Sequence, residues 1–166
     1  YADDIRFGSD LLFARIKRSP HPHALIKSID TSKAEALPGV KVIVTGDDYP
    51  GLIGLYLKDR HIFARDRVRF VGEAVVGVAA VSEEIAEKAL DLIEVDYEPL
   101  PAVFDPIEAI KDDAPMVHED FPSNINATRH IEWGNVDEGF AQADYVREDR
   151  FVLEAAHPCA MEVHNT

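Results

Sequence analysis

Between Val75 and Val81 the chain carries valine or alanine at every position except Gly77. An apolar run without polar alternation predicts a strand covered on both faces. Ser82 ends the run and is placed to cap a helix, with Glu83 and Glu84 in the first turn, where the helix dipole favours acids. Ile85, Ala89 and Ile93, flanked by Ala86 and Leu90, recur at helical spacing and give that helix one apolar side. Glu94 to Tyr97 alternate again, and the Pro99-Leu100-Pro101 corner ends the second strand. Residues 67–106 therefore read as strand, helix, strand.

A second passage of this kind precedes it. Leu11 to Arg18 alternates as a strand, with Leu12, Ala14 and Ile16 on one face and Phe13, Arg15 and Lys17 on a partly wet one. Ser19-Pro20-His21-Pro22-His23-Ala24 forms a rigid turn, because each proline fixes its own φ and pushes its predecessor toward extended backbone. Ala24 to Asp30 reads as the next strand, antiparallel to the first if the turn is tight. Ser32 with Glu35 three residues on has the capping-box spacing, and Val40 to Thr45 is a compact β-branched strand. An opening hairpin and two strand–helix–strand passages predict an α+β fold, a mixed sheet with helices packed against it.

Further along, Tyr49 to Arg65 reads as a long loop. Asp105 and Pro106 mark the cap and first position of a short helix over Ile107 to Ile110. Lys111 to Ser123 is polar and proline-punctuated, the best linker candidate. Ile125, Ile131 and Trp133 call for an apolar surface. Gly134 to Ala141 reads as a turn into a short helix, and Tyr145 to Ala155 as a strand with Tyr145, Arg147, Asp149 and Phe151 on one face and Val146 and Val152 on the other.

Composition removes several functions. The net charge is −14, from 31 acidic against 17 basic residues, whereas nucleic acids are bound by neutralising phosphates. The acids are spread along the chain, so no acidic tail names a basic partner. No stretch approaches the roughly 20 apolar residues of a membrane-spanning helix. Cys159 is the sole cysteine, which excludes an internal disulfide, a thiolate zinc site or an iron–sulfur cluster within the chain and suits a reducing cytoplasm. The 166 residues have room for one domain and part of another. Without natural-looking termini at Tyr1 and Thr166, they read as a piece of a longer polypeptide.

Candidate chemistry is sparse. Glu73 and Glu98 lie beside turns, and solvated carboxylates at strand ends are commoner than catalytic acids. With His118 they would make a hydrolase only if the three converge in space. His21 and His23 would share a strand face but lack a third ligand nearby. His157 and Cys159 are two apart, and without a third partner they make neither a metal pair nor a nucleophile. Gly51 and Gly54 lack the third glycine and the strand–helix context of a dinucleotide fingerprint. No catalytic, cofactor-binding or metal residue is assigned.

Three blocks resemble one family in order and spacing: Arg69-Phe70-Val71-Gly72-Glu73-Ala74-Val75, Ala86-Glu87-Lys88-Ala89-Leu90, and Val95-Asp96-Tyr97-Glu98-Pro99-Leu100-Pro101-Ala102-Val103. The chain is similar to the N-terminal α/β-hammerhead domain of the molybdenum-binding large subunit of xanthine dehydrogenases and aldehyde oxidases. Ser28-Ile29-Asp30, Ala36-Leu37-Pro38-Gly39-Val40 and Thr45-Gly46 agree with it. Asn135 departs from the family's usual Asp, and Val163 from its proline. The resemblance implies a hammerhead domain over residues 1–115, then a linker and the first segment of a cofactor-binding domain over 116–166.

It further implies an enzyme that hydroxylates an aldehyde, purine or N-heterocycle with oxygen from water. Molybdopterin-bound molybdenum, [2Fe–2S] clusters and FAD would sit on other parts of the polypeptide or on partner subunits, with this piece a catalytically silent scaffold. The alternative is a free-standing protein-binding module. The strand from Tyr145 to Val163 would lack its sheet neighbours and invite pairing with a second copy.

Overall fold

A computed structural model describes residues 11–55 and 57–154. The expectations for the His157/Cys159 pair and for the end of the Tyr145–Val163 strand, residues 155–163, fall outside the described residues. Those described divide into two compact units, one within Phe7–Asn126 and one from Ala127 onward.

Among the described residues the first unit holds eight strands and three helices. These are β1 (Phe13–Arg18), β2 (Ala24–Asp30), α1 (Ser32–Glu35), β3 (Val40–Val44), β4 (Leu52–Ile53), β5 (Arg60–His61), β6 (Arg67–Val68), β7 (Ala74–Ala80), α2 (Glu83–Leu92), β8 (Glu94–Pro99) and α3 (Pro106–Ala109). The strands form three sheets, ordered β1-β7-β3, β6-β2-β8 and β4-β5. The α+β class stands. The expected mixed sheet does not, because every pairing among the described residues is antiparallel. The reason lies in the two strand–helix–strand passages. Each crosses from one sheet to the other, β2 to β3 through α1 and β7 to β8 through α2, so neither sets two parallel strands side by side.

The opening hairpin is likewise replaced. β1 pairs with β7 and β2 with β6 and β8. Between them Ser19 is taken by another turn: its N–H donates to Glu73 O and its carbonyl accepts from Gly72 N–H, both at 2.8 Å. With prolines at 20 and 22, the link has too few free donors to close a tight hairpin.

The valine run is met in part: β7 is the centre of its sheet and buries Val75, Val76, Val78 and Ala80, but Gly77 and Ala79 are half-buried and Val81, past its end, is exposed. α2 is capped by the Ser82 hydroxyl, which accepts from Ile85 N–H at 3.3 Å. It buries Ala86 and Ala89, whose small side chains let it lie close to α1 and the first sheet, and Ile93 at its C-cap is buried as well. At α1 the cap shifts by one residue. Thr31 is the N-cap, its hydroxyl 2.5 Å from Glu35 Oε1, and Ser32 N–H donates to the Asp30 carboxylate at 2.9 Å. Asp30 therefore does the work expected of Ser32.

The faces of β1 are reversed from expectation. Phe13, Arg15 and Lys17 are the partly covered side chains, while Ala14 and Ile16 are exposed. The cause is α2, which lies over the polar row. Arg15 forms ion pairs with Glu83 and Glu87, and Lys17 Nζ donates to Leu90 O at 2.8 Å. The Tyr49–Arg65 stretch also holds more order than a loop, since β4 and β5 form a short ribbon.

Asp105 caps α3 by accepting from Ile107 and Glu108 N–H, with Pro106 at its start. In the second unit α4 (Val136–Ala141) is capped by Asn135, whose side chain accepts from Glu138 N–H at 3.1 Å. Ile131 and Trp133 are 91% and 94% exposed, so the apolar surface expected for them is not supplied among the described residues. Residues 145–154 form no strand. A strand needs a ladder partner, and the described residues offer none.

Candidate functional site

The sharpest gathering of titratable groups starts at the turn between β6 and β7. The Glu73 side chain folds back on its own turn and accepts from Arg69 N–H at 2.5 Å. Glu73 is 7% exposed, and burial raises its carboxyl above the ordinary range, partly offset by the Arg69 backbone and guanidinium and by Arg60. Two arginines then reach outward from this region. Arg69 Nε donates to Val117 O at 3.0 Å, and Arg67 Nη1 to Glu119 Oε1 at 2.9 Å. Asn124 completes the clamp by accepting from Val117 N–H at 2.9 Å and donating to Ala109 O and Pro115 O at 3.0 and 2.9 Å. The stretch expected to be a linker is thus bonded along Ala109 to Asn124.

His118 sits on the wall of a half-open cleft of about 200 Å³ lined by Leu57, Asp59, Val117, Phe121, Ser123 and Asn124, among others. Its Nε2 is 3.8 Å from Asp59 Oδ2, and its ring meets the Phe121 ring edge-on at 5.7 Å. Burial first, then the Arg69 charge, push the imidazole below its ordinary pKa, against the pull of Asp59 and Asp120. A neutral imidazole beside a carboxylate can hold or relay a proton. Among the described residues no hydroxyl or thiol is hydrogen-bonded to it, so the arrangement lacks a nucleophile.

The other sequence candidates do not join it. Glu73 bonds to Arg69 N–H, Glu98 pairs with Lys27, and His118 faces Asp59. Neither the Glu73–Glu98 pair nor the hydrolase set with His118 assembles. His23 Nδ1 lies 2.6 Å from Pro101 O, and since a carbonyl only accepts, that nitrogen carries the proton. His21 instead packs edge-on against Tyr97 at 5.0 Å, so each histidine is engaged separately. A Cβ at Gly54 would run into the Leu57 carbonyl oxygen, which fits the turn reading. Among the described residues no group of three or more His, Cys, Asp or Glu converges as metal ligands, and no helix is long and apolar enough to cross a membrane. Sequence reasoning missed Asp59 and the arginine clamp. The signal that could have found it is charge: Arg67-Val68-Arg69 against His118-Glu119-Asp120.

Fold and cleft together define an α+β unit: two three-stranded antiparallel sheets bridged by helices, a short β4-β5 ribbon, and charged turns that bind backbone. The chain belongs to the family described as aldehyde oxidase and xanthine dehydrogenase, a/b hammerhead domain, whose model matches residues 1–101. It is 41% identical to a probable xanthine dehydrogenase subunit of Bacillus subtilis (strain 168), over 92% of this chain and 20% of that one. It is 39% identical to the nicotinate dehydrogenase large molybdopterin subunit of Eubacterium barkeri, over 91% of this chain and 35% of the relative. Among solved structures it is similar to a carbon monoxide-reduced Cu,Mo-CO dehydrogenase, with a TM-score of 0.73 and 37% identity over 86% of this chain and 20% of that chain. The chain therefore spans between 20% and 35% of the length of these relatives.

Proposed function

We propose that the chain is the N-terminal frame of the large subunit of a molybdenum-dependent hydroxylase and supplies structure to it, with the chemistry carried elsewhere. The observation that carries this reading is the hammerhead match over residues 1–101, joined to a chain that spans a fifth of its Bacillus subtilis relative. A single cysteine is fewer than the four thiolates that commonly hold an iron–sulfur cluster, and among the described residues no group of three or more His, Cys, Asp or Glu converges. Hydroxylation of an aldehyde, purine or N-heterocycle with water belongs to the rest of the subunit, with [2Fe–2S] and FAD partners accepting the electrons. Residues 116–166 lead out of the hammerhead toward the cofactor-binding domain, their first part still clamped by Arg67 and Arg69. A reducing cytoplasm suits a chain with one cysteine.

The test sets the purified 166-residue chain beside the full-length subunit assembled with its partners. The full-length protein is expected to carry molybdenum and turn over one of these substrate classes, and the shorter chain to carry neither molybdenum nor iron. Stoichiometric metal or turnover in the shorter chain would overturn the proposal.

A further inference from the structure

Asp59 is a carboxylate without a counter-charge. It lies in the first unit, in a cleft walled mostly by apolar side chains from Leu57, Val117, Phe121 and Ile125. Among the described residues neither Lys nor Arg pairs with it, and its ion partner is His118, the two side chains being 21% and 23% exposed. His118 Nε2 stands 3.8 Å from Asp59 Oδ2, beyond hydrogen-bond reach. Burial disfavours the charged imidazole, so the ring does not neutralise the carboxylate. Of the charged groups that act on the ring, Asp59 before β5 and Asp120 on its own segment are acids, and Arg69 from the β6–β7 turn is a base. Arg69 Nε is already bonded to Val117 O.

A partly buried carboxylate is costly unless a positive charge meets it. The gap is the right size for one. A nitrogen about 2.8 Å from both Oδ2 and Nε2 fits between atoms 3.8 Å apart. It can donate a proton to each, with the imidazole's own proton on Nδ1. A water molecule would make the same two bonds and leave the charge unmet.

We infer that this cleft binds a small organic cation, its ammonium group between Asp59 and His118 and its apolar body against Phe121 and Leu57. The volume of about 200 Å³ falls below the roughly 300–1,000 Å³ of sites for drug-sized ligands. The occupant is therefore a primary amine with one ring or a short branched chain. The inference goes beyond the hydroxylase reading and does not rest on it, because it concerns a cleft of this chain and no step of that chemistry.

The test titrates benzylamine, and benzyl alcohol as its uncharged counterpart, into the full-length protein near neutral pH, where the amine is protonated. Saturation-transfer NMR follows both. Benzylamine is expected to bind with a dissociation constant of roughly 1 mM, and benzyl alcohol at least about tenfold more weakly. Asp59→Asn should weaken the amine at least about tenfold, and Phe121→Ala at least about threefold. The two variants lie on different walls, so a folding failure of one leaves the other decisive. Equal affinity for amine and alcohol would overturn the inference, since any polar donor would then serve. So would amine binding that both variants leave unchanged, which would place the ligand elsewhere on the protein. Binding to the 166-residue chain but not to the full-length protein would also overturn it, because the ammonium would then come from a side chain of the later polypeptide.

Discussion

Glu73 offers the most direct check on how the β6–β7 turn is held. Glu73→Ala removes the acceptor of the 2.5 Å bond from Arg69 N–H at a residue only 7% exposed. An unsatisfied buried donor costs about 1–3 kcal/mol, and losing a buried methylene adds about 0.8 kcal/mol. Relief of the carboxylate's desolvation opposes both, so a net loss of about 1–3 kcal/mol is expected at pH 7. Glu73→Gln keeps a carbonyl for Arg69 and has no charge to desolvate, and its stability is expected within about 1 kcal/mol of the parent.

The pH dependence separates them further. Burial raises the Glu73 carboxyl above 4.5 in the folded state, so the native chain holds that proton longer than the unfolded one. This group's contribution is fully present below pH 4.5 and is lost as pH rises through its folded value. The Gln variant lacks that slope. Urea unfolding followed by far-UV circular dichroism measures all three proteins; Trp133, 94% exposed in the other unit, is a poor reporter. A Gln variant as unstable as the Ala variant at pH 7 would refute the reasoning, because the turn would then need the charge itself.

Three further outcomes follow from the same geometry. Ser82→Ala removes the cap on Ile85 N–H and should cost about 1 kcal/mol in urea unfolding. Asn124→Ala breaks three bonds to Val117, Ala109 and Pro115; a loss of about 2–4 kcal/mol should appear as faster amide exchange at Val117. Arg69→Gln removes a charge that holds His118 low, so an NMR titration of that imidazole should show its pKa rise. In the parent, with the folded value below 6.5, the His118 contribution is present above pH 6.5 and is lost as pH falls through the folded value.

What the residues revealed in advance was local. The valine run, the Ser82 cap, the α2 stripe and the Asp105-Pro106 start each depend on neighbours within a turn or two, where periodicity and capping chemistry act. What they hid was pairing at long range. Alternation in Leu11–Arg18 shows that β1 has two faces but not which one the helix covers, since Arg15 and Lys17 find partners about seventy residues away. The clamp on Ala109–Asn124 ends largely on backbone carbonyls, which carry no side-chain signature. The family was legible because its blocks are themselves such local units, and the cleft at His118 was not, because its walls come from distant loops.

The grip of β1 on α2 has an evolutionary corollary. Arg15 takes the helix near its start through Glu83 and Glu87, and Lys17 takes it near its end at Leu90 O. One short strand thus works as a two-pin gauge for helix length and rotation. Inserting a single residue between those pins would turn everything after it by about 100° and advance it by about 1.5 Å, unseating the lysine while leaving the arginine in place. Length changes among relatives should therefore collect in the ribbon of β4 and β5 and spare α2, a pattern that aligned sequences can show directly.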